Sequence, residues 1–585
     1  MSSAWLQNSQ APSRPEFLFK NHWRLFCAAF ASVCAANVFA LSFPLGIKFL
    51  IDTALSGKNV HVLYPASFFL FLCFILKAFF DVLKSNLSVS LAEAVALDLK
   101  SFLFQKILNR PLLELESRPS SEYLSYFTRD VDVIKRFLGY LFLDFLYSLV
   151  SVFFIWLILL KLAPDLALLC FVFMLPPVLI YAKWGLVLRN DYEQLKNLEN
   201  TSWKRIPEIL KGIRTIRVFN QETNEFLSFH QKQEKLFRAS VNIYSKDGLA
   251  WSSANLLASS FLVVLLVISL QRVFHGKMTI GMLAAVNTCF VMLFLPLVKM
   301  ALLNGHWQDA RVSFKLIFDF LQDAPFLSAH PPRTTLGRAQ NAKAFIELKN
   351  VCFGYNKQST VLKGVSFSLQ AGQKAAIVGM SGSGKTTIVL LLARLLKPNS
   401  GMITMNGRPI SEISAHEYSK TAAFALQDDF LFQDTIRDNI LCGRQGYGDV
   451  QLLELAKETG LFNFISELPE GLDTSITENF TNISFGQRQK IVLARALLGQ
   501  PEFLILDEPT SFLDAVNEEI LLSLLRGRLK STTVVMVSHR LTSVRDMDKI
   551  IVLENGQVAG EGDHEKLITE NSTYQVLCLH PTEGV

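Results

Sequence analysis

Ala375-Ala376-Ile377-Val378-Gly379-Met380-Ser381-Gly382-Ser383-Gly384-Lys385-Thr386-Thr387 decides the fold of this 585-residue chain. Four apolar residues suited to a buried strand run into a glycine-rich loop, and a helical pattern follows to about Pro398. Glycines let backbone N–H groups wrap phosphates closely. Lys385 would set a positive charge on the β- and γ-phosphates of a nucleotide, and the Thr386 hydroxyl would ligate Mg²⁺. Strand, loop and helix stand in the order such a motif requires. From Phe345 onward short β-rich runs alternate with helical ones, so an α/β nucleotide-binding domain is expected.

A second apolar run, Phe503-Leu504-Ile505-Leu506, ends in Asp507-Glu508. There Asp507 would join the Mg²⁺ shell and Glu508 would polarise an attacking water. Two acids ending a strand are common by themselves; Pro509-Thr510-Ser511-Phe512-Leu513-Asp514 follows them here, and a third buried run, Val535-Met536-Val537-Ser538, ends at His539-Arg540. Between loop and acids lies Ile483-Ser484-Phe485-Gly486-Gln487. Ser-x-x-Gln before the helical run Arg488–Leu498 is a capping box, and Gly499 and Pro501 close that helix. A capped helix N-terminus also offers positive dipole and N–H groups to a phosphate.

The other half has a different solvent. The chain is 50% hydrophobic and only 18% charged, and its apolar residues gather in the first 305 or so positions. Six apolar segments cover approximately Leu25–Ile47, His61–Leu76, Phe145–Leu160, Leu166–Ala182, Leu249–Leu270 and Met278–Val298. Several fall short of the ~20 residues that cross a bilayer. Flanking Lys77, Asp81, Asp144 and Lys183 complete them, by snorkelling or by facing other helices. Long polar stretches (84–136 and 183–248) hold eight and twelve Lys/Arg, against Lys58, Lys161, Arg272 and Lys277 in the three short loops. That bias puts the long stretches and both termini in the cytoplasm. Each long stretch is expected to carry its helices well beyond the bilayer. The net charge of +6 follows from these flanks and calls for no nucleic acid. Pro176-Pro177 is expected to kink or break the fourth span, which neighbouring helices tolerate. Asn37, Asn255 and Asn287 are polar groups inside spans; hydrogen bonding between helices accounts for each as well as a cargo cavity does. The eight cysteines have no metal-ligand spacing and read as free, buried thiols. The first apolar run lacks a small-residue cleavage site before Pro44, so it reads as a retained first span.

Together these motifs resemble the ATP-binding cassette half-transporters of the exporter type, over nearly the whole chain. The resemblance implies a multidomain fold: a six-helix transmembrane domain (1–322), a linker around Pro331-Pro332 (323–344), and an α/β P-loop ATPase domain with a helical subdomain (345–585). It implies ATP and Mg²⁺ as cofactors, with Gly379 to Thr387 on the phosphates. Tyr355, in Phe353-Gly354-Tyr355, would stack on adenine. Gln427, in Leu426-Gln427-Asp428-Asp429, would sense Mg²⁺ and water, and His539 would contact the γ-phosphate. Catalysis would rest on Glu508, His539, Gln427 and Lys385, and metal ligation on Thr386, Gln427 and Asp507. Ser484, Gly486 and Gln487 would face the ATP of a partner half-transporter. Pro111–Leu138 and Glu208–Glu222 resemble the segments through which this family couples its two domains. The expected protein is a multi-pass dimer in the bacterial inner membrane, in contact with lipid and with no nucleic-acid partner. It would export or flip an amphipathic, lipid-like or peptide cargo by alternating access. An importer of similar fold and an ATP-gated regulatory protein are the alternatives, the second disfavoured by an intact Glu508. A soluble ATPase is excluded by the six spans. Coupled leader-peptide cleavage is not expected, because no protease-like segment precedes the first span.

Phe485 departs from the family, which favours glycine there; Thr477 and Phe480, around Glu478, also stand where it favours glycine. Two consequences compete. Either Phe485 points away and the site works in a homodimer, or this signature serves a weakened site in a heterodimer.

Overall fold

The computed structural model describes residues 16–55, 60–322, 345–356, 359–426, 430–477, 482–509, 515–538 and 541–579. Two compact units divide them. One holds the membrane helices; the other holds the soluble domain together with Asn109–Arg118.

In the first unit, helix α1 (Glu16–Phe49) leaves helical geometry at His22 and ends in a π-helical turn, Leu50–Leu55. Helix α2 (Val60–Leu108) has 49 residues, about 73 Å at 1.5 Å per residue. Its apolar part therefore spans a bilayer and its polar part projects beyond, as the basic stretches led us to expect. Helix α3 (Leu112–Glu116) is short and belongs to the second unit; back in the first, α4 (Ser120–Leu162) carries π-helical turns at Tyr126–Asp130 and Phe137–Phe142. Helices α5 (Pro164–Lys211), α6 (Ile213–Val218), α7 (Glu222–Phe274) and α8 (Ile280–Gln322) complete the order. Six helices are long and apolar enough to cross a membrane among the described residues.

Pro176-Pro177 does not break α5, which runs on through both and through Pro207. Among the intramembrane asparagines, Asn37 is buried. Its Nδ2 donates to the Val33 carbonyl (3.0 Å), and its Oδ1 accepts from Ser151 Oγ of α4. That is the helix–helix reading. Phe68, Phe69, Phe71 and Phe79 of α2 are exposed, so much of the phenylalanine content faces outward in the single chain and says nothing of cargo. All eight cysteines are free; Cys73, Cys170 and Cys289 are buried as expected, but Cys27 and Cys442 are exposed.

In the second unit, β1 (Ile346–Phe353), β2 (Leu362–Leu369), β4 (Ser400–Met405) and β5 (Arg408–Pro409) form an antiparallel sheet in the order β2-β1-β4-β5. The sheet that carries the motifs has the order β10-β9-β3-β8-β7-β6. It comprises β3 (Lys374–Gly379), β6 (Ala422–Ala425), β7 (Phe503–Asp507), β8 (Thr533–Val537), β9 (Lys549–Glu554) and β10 (Gln557–Gly562). It is parallel except at its β9–β10 edge. Alternate residues divide between two cores. Val378, Leu504, Leu506 and Met536 pack on one face with Leu452 and Ile491; Ile377, Phe503, Ile505 and Val537 pack on the other with Ile388 and Ile403. A sheet covered on both faces explains why these strands read as unbroken apolar runs.

Candidate functional site

Register assembles the nucleotide site. Ile377 of β3 and Asp507 of β7 both pair with Val537 of β8. The phosphate loop and the acidic strand end therefore emerge side by side at the carboxyl ends of parallel strands, where open α/β sheets bind ligands. Gly384 caps helix α9 (Lys385–Leu392) with φ of 103°, and a Cβ on it would come within 2.6 Å of Leu362 Cδ2. Glycine is needed there for both reasons.

Lys385 is 6% exposed, and its Nζ donates to the carbonyls of Gly379 (2.8 Å) and Met380 (3.0 Å). The ammonium thus holds the loop closed. Burial lowers its pKa below the usual 10.5, and the charges of Glu508 and Asp507 oppose that shift. Ser383 Oγ is buried with no hydrogen-bond partner. A phosphate oxygen would satisfy it, so the loop fits a nucleotide. Asp507 is 4% exposed, and Thr386 is exposed in the first turn of α9. One carboxylate with one hydroxyl suits a hard cation that keeps much of its water, as Mg²⁺ does.

Glu508 has φ of 48°, a left-handed conformation that non-glycine residues seldom adopt. Such a residue costs roughly 1 kcal/mol or more and persists where surrounding structure imposes it. Nothing in the sequence announced this; it ends the extended backbone that Asp507 still follows. Tyr355 is half-exposed, held edge-on by Phe353 (5.2 Å between centroids) and by its Oη, 3.2 Å from Thr387 Oγ1. The loop helix and the aromatic are thus brought together.

Ser484 caps helix α10 (Phe485–Leu497): its Oγ accepts from Gln487 N (3.2 Å), and its N–H donates to Gln487 Oε1 (2.7 Å). The helix starts three residues earlier than its apolar periodicity indicated, so Phe485 and Gly486 belong to its first turn. Phe485, about half exposed, is among the residues around a cavity of about 50 Å³ within its own chain, with Leu426, Arg488, Leu493, Asp507 and Ile520. Gly486 has open space where a Cβ would stand. Gln427, His539, Phe480 and Thr510–Asp514 lie outside the described residues.

The membrane unit carries a second candidate site. Lys77 pairs with Asp81 (2.7 Å), while Asp144 is shared by Lys84 (3.6 Å) and Lys299 (3.1 Å). Lys84 Nζ also lies 4.4 Å from the Tyr147 ring centroid. Three lysines against two carboxylates leave one positive charge over. An almost wholly apolar cavity of about 360 Å³ is lined by Leu149, Phe153 and Trp156 of α4, Phe171 of α5, and Leu297 and Met300 of α8. Met300 follows Lys299, and Leu149 stands five residues along α4 from Asp144. Sequence reading noted Lys77, Asp81 and Asp144 but not Lys84 or Lys299, because the cluster joins three distant helices. Among the described residues no group of three or more His, Cys, Asp or Glu is placed to hold a metal ion.

Similarity to known proteins follows the same division. Residues 25–297 match the family described as "ABC transporter transmembrane region", and 362–511 match "ABC transporter". An ATP-dependent lipid A-core flippase of Syntrophus aciditrophicus (strain SB) is 28% identical over 564 residues, 96% of this chain and 92% of that one. An uncharacterized ABC transporter ATP-binding protein of Bacillus subtilis (strain 168), YfiC, is 29% identical over 555 residues, 93% and 90% of the two chains. In fold, the chain is similar to a bacterial Atm1-family ABC exporter solved with ATP bound. The TM-score is 0.80 at 24% identity, covering 96% of this chain and 98% of that one.

Proposed function

We propose that this chain, which belongs to the ATP-binding cassette transporters as a half-transporter of the exporter type, moves an anionic amphiphile across the membrane. It is a multi-pass membrane protein that hydrolyses ATP to drive export or flipping, and half-transporters of this kind work as dimers. The cargo class rests on one observation: the Lys84–Asp144–Lys299 cluster, with positive charge in excess, adjoins in sequence the walls of a 360 Å³ apolar cavity. Hydrocarbon tails suit the cavity. The lysines suit an anionic headgroup, and charge at the end of a span is costly unless it is used or paired. Lys77, Asp144 and Lys299 all flank the ends of apolar runs that meet the basic, cytoplasmic stretches. The headgroup would therefore be taken at the depth of the inner leaflet of a bacterial inner membrane. That several relatives carry the name lipid A-core flippase agrees with an amphiphilic cargo.

In the soluble domain, Lys385 and the loop from Gly379 to Thr387 would hold the β- and γ-phosphates, and Tyr355 the adenine. Thr386, Asp507 and Gln427 would hold Mg²⁺, which when bound neutralises charge on the phosphate oxygens. Glu508 would accept a proton from the attacking water, with His539 and Gln427 beside it. Ser484, Gly486 and Gln487 would present the α10 N-terminus to the partner's nucleotide. Phe485 lining its own chain's cavity supports a functional homodimer.

The test uses proteoliposomes containing the purified chain. ATP-dependent translocation of a fluorescent anionic lipid, several-fold faster than that of its zwitterionic counterpart, is the expected result. Lys299→Ala should erase the preference. Equal rates for both lipids would overturn the cargo assignment.

A further inference from the structure

Short connections join α1 to α2, α4 to α5 and α7 to α8 as hairpins, and residues beside them, Asp52 with Thr279 and Asp165 with Arg272, meet at one end of the membrane unit. One clasp ties the first hairpin to the third. Asp52, in the π-helical turn that ends α1, reaches the N-terminus of α8. Its Oδ1 accepts from Gly281 N (3.0 Å) and its Oδ2 accepts from Thr279 Oγ1 (2.8 Å); Thr279 Oγ1 in turn accepts from Met282 N (3.1 Å). Two orphan N–H groups of the first turn of α8 are thus satisfied by a cap built from two helices, with a carboxylate on the positive end of the dipole. A Cβ on Gly281 would stand 2.5 Å from both Asp52 Oδ1 and the Lys48 carbonyl oxygen. Glycine is what permits α1 to approach this closely. A second tie, Arg272 to Asp165, joins the third hairpin to the second through two partly exposed side chains, where an ion pair contributes little.

We propose that Asp52 is a latch: it holds the short-loop end of the bundle shut and lets go when cargo leaves at that end. The inference rests on the transport reading above. If that end opens by separating the first hairpin from the third, the Asp52 bonds must break. The π-helical turn Leu50–Leu55 supplies a two-state element beneath the latch. Relaxing such a wide turn to α-helix removes one residue from the turn and rotates the chain beyond it by about 100°. Asp52 would swing off α8 without α1 unfolding.

Hydrogen exchange of the full-length chain in lipid nanodiscs tests this through the Gly281 and Met282 amides. Without nucleotide they should exchange slowly; with ATP and vanadate, about tenfold faster. Asp52→Ala should give the fast rate without nucleotide and change lipid translocation several-fold. Asp52→Asn keeps an acceptor and should restore protection. Thr279→Val removes one bond and should give an intermediate rate, which serves if Asp52→Ala fails to fold. Exchange that ignores nucleotide, or faster exchange in Asp52→Ala with unaltered translocation, overturns the latch. Nucleotide-dependent exchange with no lipid moved would sink the cargo reading alone.

Discussion

The backbone N–H of Glu508 donates to the carbonyl of Val537 across 2.9 Å, bonding the residue after β7 to the end of β8 while its φ stays at 48°. One hydrogen bond thus pins a left-handed residue at the mouth of the nucleotide site. Strain of this kind survives only where the surroundings impose it.

Glu508→Gln keeps that backbone and removes only the ability to take a proton. ATP turnover should fall by at least ~100-fold, the low end of what a positioned general base contributes. ATP affinity and thermal midpoint should change little. A loss of turnover below about threefold, measured by phosphate release, would remove Glu508 from the role.

Lys385 gives a pH signature. Burial holds its pKa below 10.5 in the nucleotide-free protein, while the unfolded chain keeps the ordinary value. Between the two values the unfolded state binds more protons, so stability of the nucleotide-free protein rises with pH through that window. Phosphates placed on Nζ would raise the pKa again. ATP binding on the alkaline side should therefore take up protons, read by calorimetry in buffers of different ionisation enthalpy. Lys385→Met should abolish the uptake along with most of the affinity.

Phe485 can be tested against the glycine it replaces. Phe485 stands half-buried against a cavity of its own chain, so Phe485→Gly should leave turnover of the purified chain within about threefold. It should lower stability by about 1 kcal/mol, the transfer cost of a half-buried ring. Robust, cooperative hydrolysis by the chain alone is expected. A near-silent chain that Phe485→Gly rescues would show that the ring obstructs the composite site.

The candidate nucleotide residues could be named from the sequence because they are local: Gly379 to Gly384 is one loop running into Lys385 to Thr387 of one helix, Ser484 and Gln487 share one helical turn, and Asp507 and Glu508 one strand end. Period and capping chemistry place such groups without tertiary knowledge. The helix lengths were legible too, since polar stretches continued the apolar runs. Of the kink or break expected at Pro176-Pro177, the break does not occur, because α5 continues through both prolines in a way that propensity alone does not reveal. The antiparallel sheet of β1, β2, β4 and β5 escaped notice, as pairing depends on partners far along the chain. So did Lys84, Lys299 and the Asp52 clasp, whose partners stand up to 229 residues away.

Leu113 of α3 offers the sharpest test of coupling. It belongs to the same compact unit as the soluble domain and packs, partly buried, against that domain's core. Helix α3 is only five residues long, too short to be stable by itself, so its packing must hold it in place. Leu113→Asp removes the apolar contact and sets a charge against buried carbon, which costs on the order of 2–5 kcal/mol at that contact. The nucleotide residues lie elsewhere, so ATP binding and basal hydrolysis should stay within about twofold. Lipid translocation and its stimulation of hydrolysis should both be lost. Leu113→Met, which conserves volume and polarity, should behave as the parent does. If Leu113→Asp transported normally, α3 would not be the element through which the membrane helices and the ATPase communicate.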